Sequence, residues 1–204
     1  FAAMQWRSAP TAPAVTPVLV AAPISNTDHA TRTATRPDDV TLARHITTLG
    51  NNPAQAWQHL LAQWSLPATS ITLDACTPAS RADVHCVQGR ARLEILAALD
   101  RPLLLRLQAG NTQAWASLLG VDARNVRLQL GQDRIDIDRS LLQAHWNGDY
   151  AALWVGQVEV PASAAQISIF QNARGLPADG VAGPLTLMAL ANNLPGPHLL
   201  RVLD

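Results

Sequence analysis

From about residue 37 to residue 100, apolar side chains recur at helical spacing. Val40, Ala43, Ile46 and Leu49 predict a first helix, opened by Asp38 and Asp39 and stopped by Gly50. Asn52 as cap and Pro53 in the first turn open a second, with Trp57, Leu60, Leu61 and Trp64 as its buried stripe. Leu93, Leu96, Ala97 and Leu99 predict a third over 90–99, ended by Asp100-Arg101-Pro102. The pattern then changes to strands. Leu103–Leu107 and Trp115–Val121 are apolar runs; Val126, Leu128 and Leu130 alternate, as do Ile135 and Ile137, around a turn at Gly131–Asp133. A short helix over Ser140–Trp146 leads to a last strand over Tyr150–Val155. Helices first and an antiparallel sheet after indicate an α+β domain.

Two helices close the chain. Ile167 and Phe170 share one face of a helix that Gly175 ends. Pro177, Asp179-Gly180 and Gly183 make a turn-rich connector. Gly183-Pro184 opens the next helix, whose apolar side is Leu187, Met188, Leu190 and Ala191. At the other end, Pro10, Pro13, Pro17 and Pro23 punctuate an Ala/Thr/Val-rich stretch without period, so residues 1–36 read as a flexible linker. The expected organisation is a linker over 1–36, an α+β domain over 37–160 and a small all-α module over 161–204.

Composition narrows the function classes. The 204 residues are 48% hydrophobic and 15% charged, with zero formal net charge and no basic run, so nucleic acid is not an expected partner. All fifteen basic residues are arginine, which reads as coding bias. No apolar stretch is long enough to span a membrane, and Phe1 does not begin a secretory leader; a start without methionine reads as a piece of something longer. Each of the six tryptophans reads as a core anchor ahead of a sugar-stacking platform.

The C-terminal stretch resembles the repeat of the bacterial peptidoglycan-binding-like domain. The matching positions are Phe170, Gln171, Gly175, Leu176, Asp179, Gly180, Gly183, Thr186 and Leu190. That family carries two such half-repeats and one is present here, so the module is shortened. The resemblance implies that exposed polar residues contact peptidoglycan, with Gln171, Asn172, Arg174, Asp179, Thr186, Asn192 and Asn193 as the candidates. Arg174 is suited to a stem-peptide carboxylate.

The preceding block resembles the periplasmic region of the general (type II) secretion pathway protein A, or ExeA, family. The residues that carry this are Trp57 and Trp64, Ala75-Cys76, Cys86, Leu96, Leu99, Arg101-Pro102, Trp146, Gly148, Tyr150 and Leu153-Trp154. The resemblance implies a papain-like (cysteine-peptidase-like) α+β domain related to the peptidases that cut double-glycine leaders. It also implies a periplasmic location, possible tethering to the inner membrane through a segment absent from this chain, and partners that are peptidoglycan, an inner-membrane component of the secretion system and the secretin. A homo-oligomer is compatible with this. No Walker motif is present, so ATP hydrolysis is not expected of this chain, and no cofactor is implied.

Cys76 is the one candidate nucleophile, and a cysteine peptidase using it is the rival to a non-catalytic adaptor. No histidine lies between His85 and His145, where the base would be expected, and Asp122 then has nothing to orient. In a chain resembling a periplasmic domain, Cys76 and Cys86 read as a disulfide, with free thiols the alternative. A zinc site with His85 lacks a second paired motif. The six histidines (29, 45, 59, 85, 145 and 198) are scattered singly and read as surface or capping residues. Asp136 and Asp138 flank Ile137 and read as the solvent face of a strand; glycoside hydrolysis by the pair lacks a pocket.

Overall fold

The element order in the computed structural model is α1 (Asp39–Leu49), α2 (Ala54–Gln63), β1 (Ile71–Thr72), β2 (Thr77–Pro78), β3 (Val84–Arg90), α3 (Leu93–Ala98), β4 (Leu103–Ala109), β5 (Thr112–Val121), β6 (Asn125–Leu130), β7 (Asp133–Asp138), α4 (Arg139–His145), β8 (Trp146–Val155), α5 (Ala164–Ala173) and α6 (Pro184–Ala191). It describes residues 34–50, 52–68, 71–72, 76–78 and 83–203, all within one compact unit. The linker expected over 1–36 lies almost wholly outside the described residues. Among the described residues, pairing already includes Thr35, upstream of Pro37: its N–H donates to the Arg134 carbonyl and its carbonyl accepts from the Asp136 N–H.

The sheet is six-stranded and antiparallel in the order β3-β8-β4-β5-β6-β7. Strands β4 to β7 form a meander, and β8 returns through α4 to pair with β4 on its other side. The alternating burial of β6 follows from one face packed and one face wet, whereas β8 is buried along nearly its whole length. Helices α1 and α2 pack on β4 and β5. Asp38 caps α1 by accepting from the Thr41 N–H at 2.8 Å, and the Asn52 side chain accepts from the Ala54 N–H at 3.1 Å at the start of α2.

Several expectations from the pattern are corrected. The helix expected over 90–99 begins at Leu93, because residues 84–90 form edge strand β3, whose broken burial pattern hides its period. The buried face of α1 is Leu42 and Ile46, while Val40 points to solvent. The α4 helix stops at His145, and Trp146 already belongs to β8. The buried positions of α6 are Thr186, Met188, Ala189 and Ala191; Leu187 and Leu190 are half-buried. Asp136 is not on a solvent face: it is 2% exposed and takes a bidentate pair from Arg127 at 2.7 Å for each contact. His145 is likewise buried, bonded through Nδ1 to the Gln108 carbonyl and through Nε2 to Asp39, both at 2.8 Å.

The C-terminal segment is built into the sheet. Strand β4 starts at Leu103, opposite Leu118, so residues 119–121 of β5 are left without a neighbour on that side. Leu200 fills the gap: its N–H donates to Leu119 and its carbonyl accepts from Val121, both at 2.9 Å. Arg101, 3% exposed, reaches from the β4 side to the end of α6. Its guanidinium donates to the carbonyls of Asn192 at 2.9 Å, Pro197 at 3.1 Å, Ala191 at 3.5 Å and Leu194, and lies 5.5 Å from the Trp64 ring centroid. The last carbonyls of a helix have no partner within it, and Arg101 supplies their donors. Burial pushes its pKa down and the neighbouring Asp100 opposes that shift.

Candidate functional site

Gln171 on α5 organises the turn between α5 and α6. It is 2% exposed, and its amide nitrogen donates to Asp179 Oδ1 at 2.8 Å and to Val181 O and Thr186 Oγ1 at 2.9 Å. Two hydrogens serve three acceptors, so one bond is shared. Its amide oxygen accepts from the Gly180 N–H at 2.9 Å. Gly180 has φ of 72°, and a Cβ there would meet the Ala164 carbonyl at 3.0 Å, so glycine is required. The Val181 N–H donates to Asp179 Oδ1 at 2.9 Å; this bond and the one from Gln171 hold the Asp179 carboxyl below its ordinary pKa. Asp179 is therefore a fixed, exposed carboxylate.

This turn faces the end of the β3 edge strand across a cleft of about 240 Å³. The far wall is Gly89 and Arg90, with Tyr150 of β8 opposite Gly89 in the register. Leu176, Val181 and Leu185 give the near wall its apolar part. A Cβ on residue 89 would come within 3.0 Å of the Tyr150 hydroxyl, so glycine makes room for the Tyr150 ring. That hydroxyl is buried and has no hydrogen-bond partner among the described residues. A buried polar group left so costs about 1–3 kcal/mol. Burial pushes its pKa up to about 12, so it is a neutral phenol at physiological pH. Arg90 donates through Nε to Asp149 Oδ1 at 2.9 Å, and Arg106 donates to Oδ2. Burial raises the Asp149 pKa, but the bonds from the two arginines outweigh it and the net shift is downward.

Three of the seven residues expected to contact a ligand meet at this turn: Gln171, Asp179 and Thr186. Gln171 and Thr186 are corrected from exposed to buried, because they tie the turn together from inside; only Asp179 presents a polar atom to solvent there. Asn172 on α5 and Arg174 just past its end are exposed, with the Arg174 guanidinium 5.3 Å from the Phe170 ring centroid. Asn192 and Asn193 lie just past the far end of α6, roughly 12 Å along its axis from Pro184 at the rise per residue of a helix. Arg90 and Tyr150 were not read as site residues. Tyr150 stands in the Trp146-x-Gly148-x-Tyr150 motif, whereas Arg90 falls at the start of the helix expected over 90–99 and carries no site signal.

Cys76 and Cys86 are joined in a disulfide with Cα atoms 5.4 Å apart. Neither is then a thiolate for attack or for zinc. His85 stacks on Trp154 with centroids 5.1 Å apart, and as the strand neighbour of Cys86 it points to the opposite face. No group of three or more His, Cys, Asp or Glu among the described residues is arranged to hold a metal ion. The cross-link closes a loop of ten residues' separation and contributes about 2–3 kcal/mol in the chain-entropy model. Reduction with dithiothreitol is expected to lower the urea midpoint with little change in slope; an unchanged midpoint would show that the bond is neutral to the fold.

Comparison with known proteins identifies the domain around this sheet. Residues 44–156 match the family described as the GspA peptidase C39-like domain, which is over half of the chain; the chain belongs to that family. General secretion pathway protein A of Aeromonas hydrophila is 30% identical over 129 residues, 59% of this chain and 23% of that protein. The chain thus spans about a quarter of that relative. A periplasmic domain of the EpsAB fusion protein of the Vibrio vulnificus type II secretion system is similar, with 20% identity, a TM-score of 0.49, and coverage of 76% of this chain and 94% of that one. The N-terminal peptidase C39-like domain of the toxin secretion ATP-binding protein from Vibrio parahaemolyticus is 23% identical, with a TM-score of 0.32 over 59% of this chain and 94% of its own. The family assignment rests on sequence. Helices α5 and α6 lie beyond the matched residues, and no helix among the described residues is long and apolar enough to cross a membrane.

Proposed function

We propose that this chain is a non-catalytic, periplasmic, peptidoglycan-binding adaptor of a type II secretion system, which fixes the assembly to the cell wall and assists secretin assembly. The observation that carries the wall-binding part is the cleft between the Gln171-braced turn and the edge of the peptidase-like sheet. It sets a fixed carboxylate, a guanidinium and a buried phenol around one opening, which suits recognition of a polar wall fragment. Membership of the GspA family supports the link to secretion, and with it an inner-membrane partner and the secretin as protein contacts. The disulfide supports the absence of catalysis, since it removes the thiolate a cysteine peptidase needs. The α5–α6 unit acts here as a shortened peptidoglycan-binding-like module over about 161–204, docked on the domain over 37–160.

The test is sedimentation of the purified, non-reduced chain with isolated sacculi. The expected result is pelleting with the wall and no release of soluble muropeptide or glycan. Release of fragments would make the protein a hydrolase. A chain left in the supernatant would remove the wall from its function and direct the search to a protein partner. Titration of free thiols in the same sample is expected to find none; one reactive thiol would revive the peptidase reading.

A further inference from the structure

We infer that the cleft takes the zwitterionic end of a wall stem peptide, an ammonium and a carboxylate on one carbon at the tip of a short methylene arm, and not the glycan strand. This rests on the wall-binding reading above and names the part of the wall that the site recognises.

Three observations carry it. First, the two cleft walls bear opposite charges. Asp179 uses Oδ1 for Gln171 and Val181, so Oδ2 faces outward with no bond to either. Arg90 donates to Asp149 through Nε, which leaves the guanidinium edge away from Nε for a ligand, on a side chain 66% exposed. A carboxylate fits the guanidinium and an ammonium fits the aspartate. Second, the Tyr150 hydroxyl lies under the cleft against Gly89, buried and without a hydrogen-bond partner among the described residues. A neutral phenol both donates and accepts, so it serves either pole of the ligand. Third, the space between the charges is lined by Leu176, Val181 and Leu185, which suit methylene groups, and its volume of about 240 Å³ is small. A glycan strand carries no such charge pair. It is ordinarily held by stacking on an open aromatic face, and the one aromatic residue in the cleft lining is Tyr150, 1% exposed.

The test is calorimetric titration of the full, oxidised chain with the tripeptide L-alanyl-γ-D-glutamyl-meso-diaminopimelate, beside the same tripeptide acetylated only on the side-arm ammonium of its diaminopimelate. The parent is expected to bind the first and to bind the acetylated form at least tenfold more weakly. Asp179→Asn keeps an oxygen for Gln171 and Val181 while removing the charge, and is expected to weaken binding about tenfold. Tyr150→Phe removes a hydroxyl with no partner in the protein, so its thermal midpoint should not fall, while binding weakens about fivefold. No heat from the unmodified tripeptide, or equal affinity for the acetylated one, overturns the inference. The two readings fail separately: pelleting with sacculi but no tripeptide binding leaves the wall adaptor and removes the zwitterion, and tripeptide binding without pelleting does the reverse.

Discussion

Arg101→Met is expected to lower the stability of the chain by about 3 kcal/mol, which for a protein of this size is roughly 6–12 °C in the thermal midpoint. The size follows from what the guanidinium does. It is buried against Trp64 and donates to four carbonyls in and after the last turn of α6. Methionine fills much of the volume but takes a donor from each of those oxygens, of which Ala191 keeps a backbone donor in the Leu194 N–H. Arg101→Lys should recover only part of the loss, because a point charge with three donors cannot reproduce the planar fork. The loss should be felt first in residues 192–203, so limited proteolysis of the Met variant is expected to cleave there before the sheet. A midpoint within 2 °C of the parent, with an unchanged cleavage pattern, would mean that the segment is held by the Leu200 bridge alone.

Gln171→Met carries the second large effect and joins stability to function. The substitution keeps the shape and removes four hydrogen bonds at once. It strands the Gly180 N–H in the interior, leaves the Thr186 hydroxyl only its 3.4 Å bond to the Val181 carbonyl, and removes one of the two bonds that hold Asp179. A cost of about 2–3 kcal/mol is expected from denaturant unfolding. Binding to sacculi should fall with it even at temperatures where the variant stays folded, because the near wall of the cleft loses its set position. Full wall binding by a folded Gln171→Met variant would separate the turn from the site.

The sequence pattern was most readable where one face is packed and the other wet. Val126, Leu128 and Leu130 alternate because β6 is a strand of that kind, and Asp38 and Gly50 bracket α1 through local backbone chemistry. Strand β3 was not legible, because an edge strand under a disulfide and a helix has no clean period. In the site, the motif gives Gln171, Gly180 and Thr186, but Gln171 and Thr186 read as exposed and are buried. Polar residues clustered around a glycine turn look like a contact surface in one dimension, and only the folded chain turns Gln171 inward. Asp136 was misread for the same reason: its partner Arg127 is on the adjacent strand and brings the pair into the interior. Arg90 and Tyr150 come to the cleft through the β3–β8 register, which local spacing does not encode.

The wall is expected to bind at the cleft and not on the outer face of the module. The most direct measurement is co-sedimentation with sacculi of three folded proteins: the parent, Asp179→Asn, and Asn172→Ala combined with Arg174→Ala. The parent and the outer-face double variant are expected to pellet alike, while Asp179→Asn remains largely in the supernatant. Retention of Asp179→Asn on the wall together with loss of the double variant would place the contact on the exposed face of α5 and contradict binding at the cleft.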